Sequence, residues 1–480
     1  MTEWLSALRK VPEGVTHAAG LITGLDGAFA VGFGRLGAEQ IRALEAVGRT
    51  FSGTPLAKPL DAAIASIRKS ELVEKHFVAL AAARAALQGA QHDALAALVA
   101  EAFGREKNGH VPAEEAKTQE TPSHHTVWLE SARQWLMELA IAGFLQLSPE
   151  ALLPFSATLE KIQGEPQLIR QSALLTGFFN ELVASLPIAA MPEVPIFRWA
   201  DLWSRAMVIA ARSPAPAAEE SVSGEFQPLG VDLRLHANFV SASVYGLLTP
   251  KGGAGAQVVR TTLSAFKVDV LTGNEVWGLF RGSGKELLTA IKNKSSVKVQ
   301  GMSLRSTGDL VWDDKKAEAG AKFDGMAVAA KWLAPGAPGG PLKMPVPAGT
   351  DRHPALLSEP VYLEGYSFQK KGDSGGPELR FGSAGLPVAV ERMGDMHDLS
   401  LDDVDRSQKM IGILRYDRGR FAVQPLAVLT GGKKVEHLAV GSSGASIAAG
   451  GDAGGRDSTL GILRERASKL LRAQSNRERT

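Results

Sequence analysis

Phe197-Arg198-Trp199-Ala200-Asp201-Leu202-Trp203-Ser204-Arg205-Ala206 and Phe239-Val240-Ser241-Ala242-Ser243-Val244-Tyr245-Gly246-Leu247-Leu248 stand on either side of the change that decides the fold. In the first stretch Trp199, Leu202, Trp203 and Ala206, followed by Ile209, recur every three to four residues. That spacing puts them on one side of a helix over 197–212. Aromatic residues at this period read as core rather than as a cofactor site. The second stretch is a short run of Val, Leu and aromatics, the composition of a strand. Between them, residues 213–224 are rich in Pro, Ala, Ser and Glu and read as a linker.

The helical period extends back to the N-terminal region. Residues 76–103 are rich in Ala and Leu. Over 126–147, Trp128, Leu129, Ala132, Trp135, Leu136, Leu139 and Ala140 share one side. Ser148-Pro149-Glu150 is a helix-start signature, with a capping residue, a proline at the first helical position and an acid in the first turn. It predicts a helix to about Gln163. Glu165-Pro166 opens another, with Leu168, Ile169, Ala173, Leu174, Phe178, Leu182 and Val183 inward. A second linker, 109–123, separates a first helical region (1–109) from a middle one (124–212).

Beyond the linker the pattern is that of short strands. They are expected at 239–248, 256–263, 266–271, 296–301, 304–312, 326–332, 361–366, 388–392, 410–416 and 420–429, with a helical turn at 286–292. Asp417-Arg418-Gly419-Arg420 reads as a hairpin turn. The fold class is therefore α+β: a helical N-terminal half followed by a β-rich domain (225–430), a barrel or a sandwich. Residues 431–455 are low in complexity, and 459–472 form a basic amphipathic helix. Together 431–480 read as a flexible tail.

Composition narrows the chemistry. The 480 residues include no cysteine, which excludes disulfides, thiolate catalysis and Cys-ligated metals. A net charge of +2 creates no field that would draw nucleic acid. The most apolar early stretch, 18–33, is broken by Gly20, Gly24, Asp26, Gly27 and Gly32, so no transmembrane segment is expected. No signal peptide is recognisable, and the expected location is the cytoplasm.

Several motifs read as structural. Gly32-Phe33-Gly34-Arg35-Leu36-Gly37 matches GxGxxG after an apolar run at 28–31. It lacks the following strand with its acidic residue, so helix packing is its expected use. His124-His125, with Glu130 as the nearest carboxylate considered, read as a solvated helix entry. Asp395, Asp398, Asp402, Asp403 and Asp405 lack the spacing of a calcium loop. No cofactor and no metal ligand is assigned.

Gly372-Asp373-Ser374-Gly375-Gly376-Pro377 is different, because it resembles the nucleophile loop of trypsin-like serine peptidases. The resemblance spans about 366–390 and includes Gly385-Leu386-Pro387-Val388-Ala389-Val390, which would line the specificity pocket. It implies Ser374 as nucleophile, Gly372 and Ser374 as oxyanion donors, and Asp373 held by a new N-terminus. His353 is too near in sequence to act as the base, whereas His236 has the required separation, with Asp269 as the carboxylate. His236 is expected to precede its strand rather than follow one, which argues against the triad.

A second resemblance reaches across the chain. Ala81-Ala82-Ala83-Arg84-Ala85-Ala86-Leu87-Gln88-Gly89-Ala90, the stretch Arg198 through Ala206, and Gly412-Ile413-Leu414-Arg415-Tyr416-Asp417 resemble uncharacterised bacterial proteins encoded beside MoxR-type AAA+ ATPases and von Willebrand factor A proteins. The SWIM-finger Cys/His pattern found in some of those proteins is missing here. The resemblance implies an accessory or adaptor protein, with an AAA+ ATPase or a von Willebrand factor A protein as partner. No GxxxxGK[ST] string occurs, so any ATPase is that partner. A serine endopeptidase is the alternative expectation.

Overall fold

The computed structural model describes residues 3–105, 123–211, 219–236, 239–252, 255–267, 271, 273–340, 342–373, 375–394, 398–431 and 435–448. Ten helices come first: α1 (Glu3–Leu8), α2 (Glu13–Val31), α3 (Ala38–Thr50), α4 (Ala57–Ile67), α5 (Glu74–Phe103), α6 (Ser123–Ala142), α7 (Pro149–Leu152), α8 (Ser156–Gln163), α9 (Ile169–Ala184) and α10 (Ile196–Ala210). Trp199 and Trp203 are fully buried, as their period requires. Trp203 packs on Phe29 of α2 at 4.5 Å between ring centroids, and Trp199 on Phe144 at 5.9 Å. Residues from both sides of the 109–123 segment thus share one core.

Local details depart from the sequence reading. The helix expected from Pro149 to Gln163 is interrupted by a 3-10 turn at Leu153–Phe155 that contains Pro154. A proline there removes a helical N–H and crowds the preceding turn. Ile169 is 68 % exposed rather than inward, and Leu175 takes the buried position. The apolar run before GxGxxG is the last part of α2, not a strand. Gly32 has φ +93° and ends the helix, and a 3-10 turn with buried Phe33 follows. The same device recurs after α6, where Gly143 has φ +87° and a 3-10 turn buries Phe144.

The described residues of the second half form three open sheets. The largest contains β1 (Glu219–Leu235), β2 (Phe239–Pro250), β3 (Ala256–Phe266), β4 (Ser295–Arg305), β5 (Leu310–Val311), β6 (Ala317–Lys322) and β7 (Leu342–Lys343). Its order is β5-β4-β1-β2-β3-β7, with β6 also on β4. Next in the chain are β8 (Glu359–Glu364), β9 (Ser367–Gln369), β10 (Glu378–Phe381), β11 (Ala384–Pro387), β12 (Ser407–Asp417), β13 (Arg420–Thr430) and β14 (His437–Ala439). They form a four-stranded sheet, β14-β13-β12-β8, and a small sheet, β11-β10-β9. The described strands close no barrel, and the arrangement is sandwich-like. Leu229, Leu247, Tyr362, Ile411 and Ala427 fill the space between the two larger sheets. Gly230 lets β1 approach β13, since a Cβ there would lie 2.6 Å from Leu426 Cβ.

Four further helices among the described residues are α11 (Lys285–Asn293), α12 (Gly325–Leu333), α13 (Leu401–Asp405) and α14 (Ser442–Ala448). Residues 326–332, expected as a strand, belong to α12, whose start is capped by Asp324 Oδ1 accepting from Met326 N and Ala327 N. The strand expected at 388–392 is a 3-10 turn, Val390–Arg392. The low-complexity segment after Thr430 is not uniformly loose. It supplies β14 and α14, and Gly441 lies against the buried Trp277 indole, where a Cβ would be 2.5 Å from the ring. The tail helix expected at 459–472 lies outside the described residues.

The two halves are joined by packing and by charge. Trp4 of α1 meets Phe103 of α5 and Phe381 of β10, each at 5.3 Å. Buried Arg84 donates to Asp26 through Nε and Nη2 at 2.8 and 3.0 Å, and to Asp201 at 3.1 Å. Asp201 also faces His353 Nε2 at 3.1 Å, from the loop before β8. Burial opposes ionisation of Asp201, but His353, Arg84 and Arg205 outweigh it and hold the carboxyl well below the usual range. Arg170 donates to Asp351 at 2.7 Å and Arg352 Nε to Asp93 at 3.0 Å. The stretch Asp351-Arg352-His353 is thereby clasped onto the helical half.

Candidate functional site

The peptidase-like loop joins β9 to β10. Gly372 N donates to Gly376 O at 2.8 Å and Gly375 N to Gly372 O at 3.0 Å, with Gly375 at φ +83°. Ser374 and Asp269 lie outside the described residues. Asp373 is 77 % exposed on its side chain and accepts from Arg380 Nη1 at 2.7 Å. Its partner is thus an arginine of the adjoining strand. Buried Glu378 fills the space between Gly372 and Gly385, and either glycine's Cβ would strike its side chain. These two glycines make room for a carboxylate that Arg380 also holds, at 2.9 Å.

His236 does follow a strand, which corrects the sequence reading. β1 runs from Glu219 to Leu235 directly into it. The His236 backbone N–H donates to Phe239 O at 2.8 Å, closing the turn into β2. Partial burial, then Arg234 and Arg198, lower its pKa from the ordinary value. His353 is engaged elsewhere: Nδ1 accepts from Ala355 N at 3.0 Å and Nε2 faces Asp201.

Two features were not found from sequence. The first is a cluster at the start of α6. His125 is buried, and its Nε2 lies 3.0 Å from Glu165 Oε2. His124 Nε2 lies 3.9 Å from Glu165 Oε1. The carboxylate that reaches the two histidines is therefore Glu165, before α9, and not Glu130. The second is the outer edge of β3. β7 pairs with β3 only at Ala256 and Gln257, and Arg260 N donates outward to Gly308 O at 3.0 Å. By alternation the N–H groups of Thr262, Ser264 and Phe266 face the same way. Among the described residues no strand covers them. Phe266 is 79 % exposed, and its ring lies 5.8 Å from that of Phe239.

The described chain is thus an α+β protein with an open sheet edge, a peptidase-like turn and a His/His/Glu cluster. Comparison with family models, curated proteins and solved structures finds no match. Among the described residues no helix is long and apolar enough to cross a membrane.

Proposed function

We propose that the chain is a non-catalytic interaction protein of a cytoplasmic, ATPase-linked bacterial assembly, which receives a partner segment on the outer edge of β3. The observation that carries this reading is the edge from Thr262 to Phe266: outward N–H groups without a strand partner among the described residues, ending in a phenylalanine 79 % exposed. Uncovered edges invite a further strand, and folded proteins ordinarily blunt them with charge, proline or cover. Here the exposed positions are Thr262, Ser264 and Phe266. An added strand gains main-chain hydrogen bonds, and Phe266 supplies an aromatic anchor of the kind that dominates interfaces. The partner class follows from the resemblance at 81–90, 198–206 and 412–417: a MoxR-type AAA+ ATPase or a von Willebrand factor A protein.

Sedimentation velocity of the chain mixed with each of those two proteins, taken from the same genome, tests the proposal. Wild type should co-sediment with one of them. Ser264→Pro, which removes an outward N–H, and Phe266→Ser should abolish co-sedimentation while keeping the circular dichroism spectrum. Co-sedimentation with neither protein, or unchanged binding by Ser264→Pro, overturns it.

A further inference from the structure

We infer that His124, His125 and Glu165 form a binding site for a divalent transition-metal ion of the zinc class. One ligand atom from each residue can be chosen so that all three lie within 4.8 Å of one another. The two carboxylate oxygens are divided between the two imidazoles, Oε2 toward His125 and Oε1 toward His124. The rings pack at 4.3 Å, and Trp128, one turn further along α6, touches them at 5.1 and 5.8 Å. The aromatic wall restricts the motion of both imidazoles.

His125 adds an independent sign. Its side chain is 2 % exposed, and Nδ1 has no hydrogen-bond partner. A buried imidazole with one nitrogen on a shared carboxylate and the other unpaired is under-satisfied as an ordinary core histidine. Two imidazoles and a carboxylate offer borderline-soft nitrogen and hard oxygen donors, a set that zinc accepts and calcium or magnesium does not favour. Three protein ligands leave a fourth position to water or to a partner's side chain. The start of α6 places a partial positive charge nearby, and Glu165 opposes it. The ion would tie the start of α6 to the loop between α8 and α9, and further along α6 the Ser131 hydroxyl meets that of Thr158 in α8 at 3.2 Å.

The test uses full-length protein freed of metal by chelation. It is titrated with zinc against a chromophoric chelator, and with cobalt(II) followed by visible absorption. Wild type should take up one equivalent of zinc and give the intense cobalt spectrum of a four- or five-coordinate site. His124→Ala, at a half-exposed position, and Glu165→Gln should each weaken zinc binding by about 100-fold or more. Both variants should keep the melting temperature of metal-free wild type. His17→Ala, on the exposed side of α2, should bind as wild type does. No zinc uptake by wild type at micromolar concentrations, or uptake undiminished in both His124→Ala and Glu165→Gln, overturns the site. The β3 edge is absent from every readout, so this result stands apart from the docking proposal.

Discussion

Gly32 and Gly143 meet backbone to backbone where α2 and α6 end. A Cβ on Gly32 would lie 2.6 Å from the carbonyl oxygens of Ile141 and Ala142, and one on Gly143 would lie 2.5 Å from Gly32 N. Both have φ near +90°, where an L side chain is strained even without a neighbour. Phe33 and Phe144, each the next residue, are buried in the same core. The two helix–glycine–phenylalanine units hold each other in place.

Gly32→Ala and Gly143→Ala should therefore each destabilise the protein by on the order of 3 kcal/mol, combining strain and overlap with backbone that cannot swing aside. Gly27→Ala is the contrast. Gly27 lies inside α2 with nothing within 4 Å of its would-be Cβ, and alanine should stabilise by about 0.5–1 kcal/mol. Urea unfolding of the three variants measures both signs.

A second prediction concerns Asp232, which joins the two large sheets. It accepts from Arg415 Nη2 at 2.8 Å and from Gln424 Nε2 at 2.9 Å. Burial raises its pKa, but Arg415 and Arg234 with the hydrogen bond from Gln424 outweigh it, and the carboxyl is held at about 2. A folded pKa below the unfolded value means that the unfolded chain binds the proton more readily. The stabilisation is thus complete above about pH 4 and is lost as pH falls from there toward 2. It amounts to roughly 2 kcal/mol for a shift of this size. Asp232→Asn should lower stability at pH 7 and flatten this part of the acid limb. Unfolding free energies from pH 7 to pH 3 would show it, and an unchanged acid limb would count against the assignment.

The helical half was legible because Trp199, Trp203, Leu136 and Leu139 keep an unbroken helical period. β1 was not, although it is an interior strand of the largest sheet, between β4 and β2. Its N-terminal residues share the Glu and Ser composition of the linker before it. A register shift between Pro228 and Gly230 then breaks the alternation that would have marked it. Residues 326–332 are a short apolar run whose period decides nothing, and the cap at Asp324 was the overlooked signal. The His124/His125/Glu165 cluster brings together residues 40 positions apart. The packing of α6 against α8 brings the start of α6 beside the α8–α9 loop that carries Glu165.

The boundary between the halves yields a third prediction. Trp4 is 6 % exposed, wedged between Phe103 and Phe381, and Leu95 and Val99 of α5 lie in the same cluster. Trp4→Ala should cost about 3–5 kcal/mol. A fragment covering residues 1–212 should protect α2, α6 and α10 from hydrogen exchange while α1 and the last two turns of α5 exchange freely. Protection of α1 in the fragment would show that the helical half does not need the small sheet to hold it.

A fourth prediction decides the peptidase-like turn. No fluorophosphonate labelling is expected at Ser374. An unassisted serine hydroxyl reacts negligibly, and activation requires an imidazole positioned to take its proton. His353 is committed to Asp201 and Ala355, and His236 lies beside Arg234 and Phe239 at the turn into β2. Asp373 is exposed and paired with Arg380, whereas an activated enzyme of the trypsin class uses this aspartate to hold a buried new N-terminus. Glu378 is buried and occupies the space between Gly372 and Gly385. Intact-mass spectrometry after incubation with the probe, on wild type, Ser374→Ala and His236→Ala, gives the answer. One adduct on wild type, absent from both variants, would establish a working nucleophile and base and displace the interaction reading. An adduct absent from Ser374→Ala but retained by His236→Ala would show that Ser374 is activated without His236. Asp373 and Glu378, the two carboxylates that Arg380 holds, would then be the candidate proton acceptors.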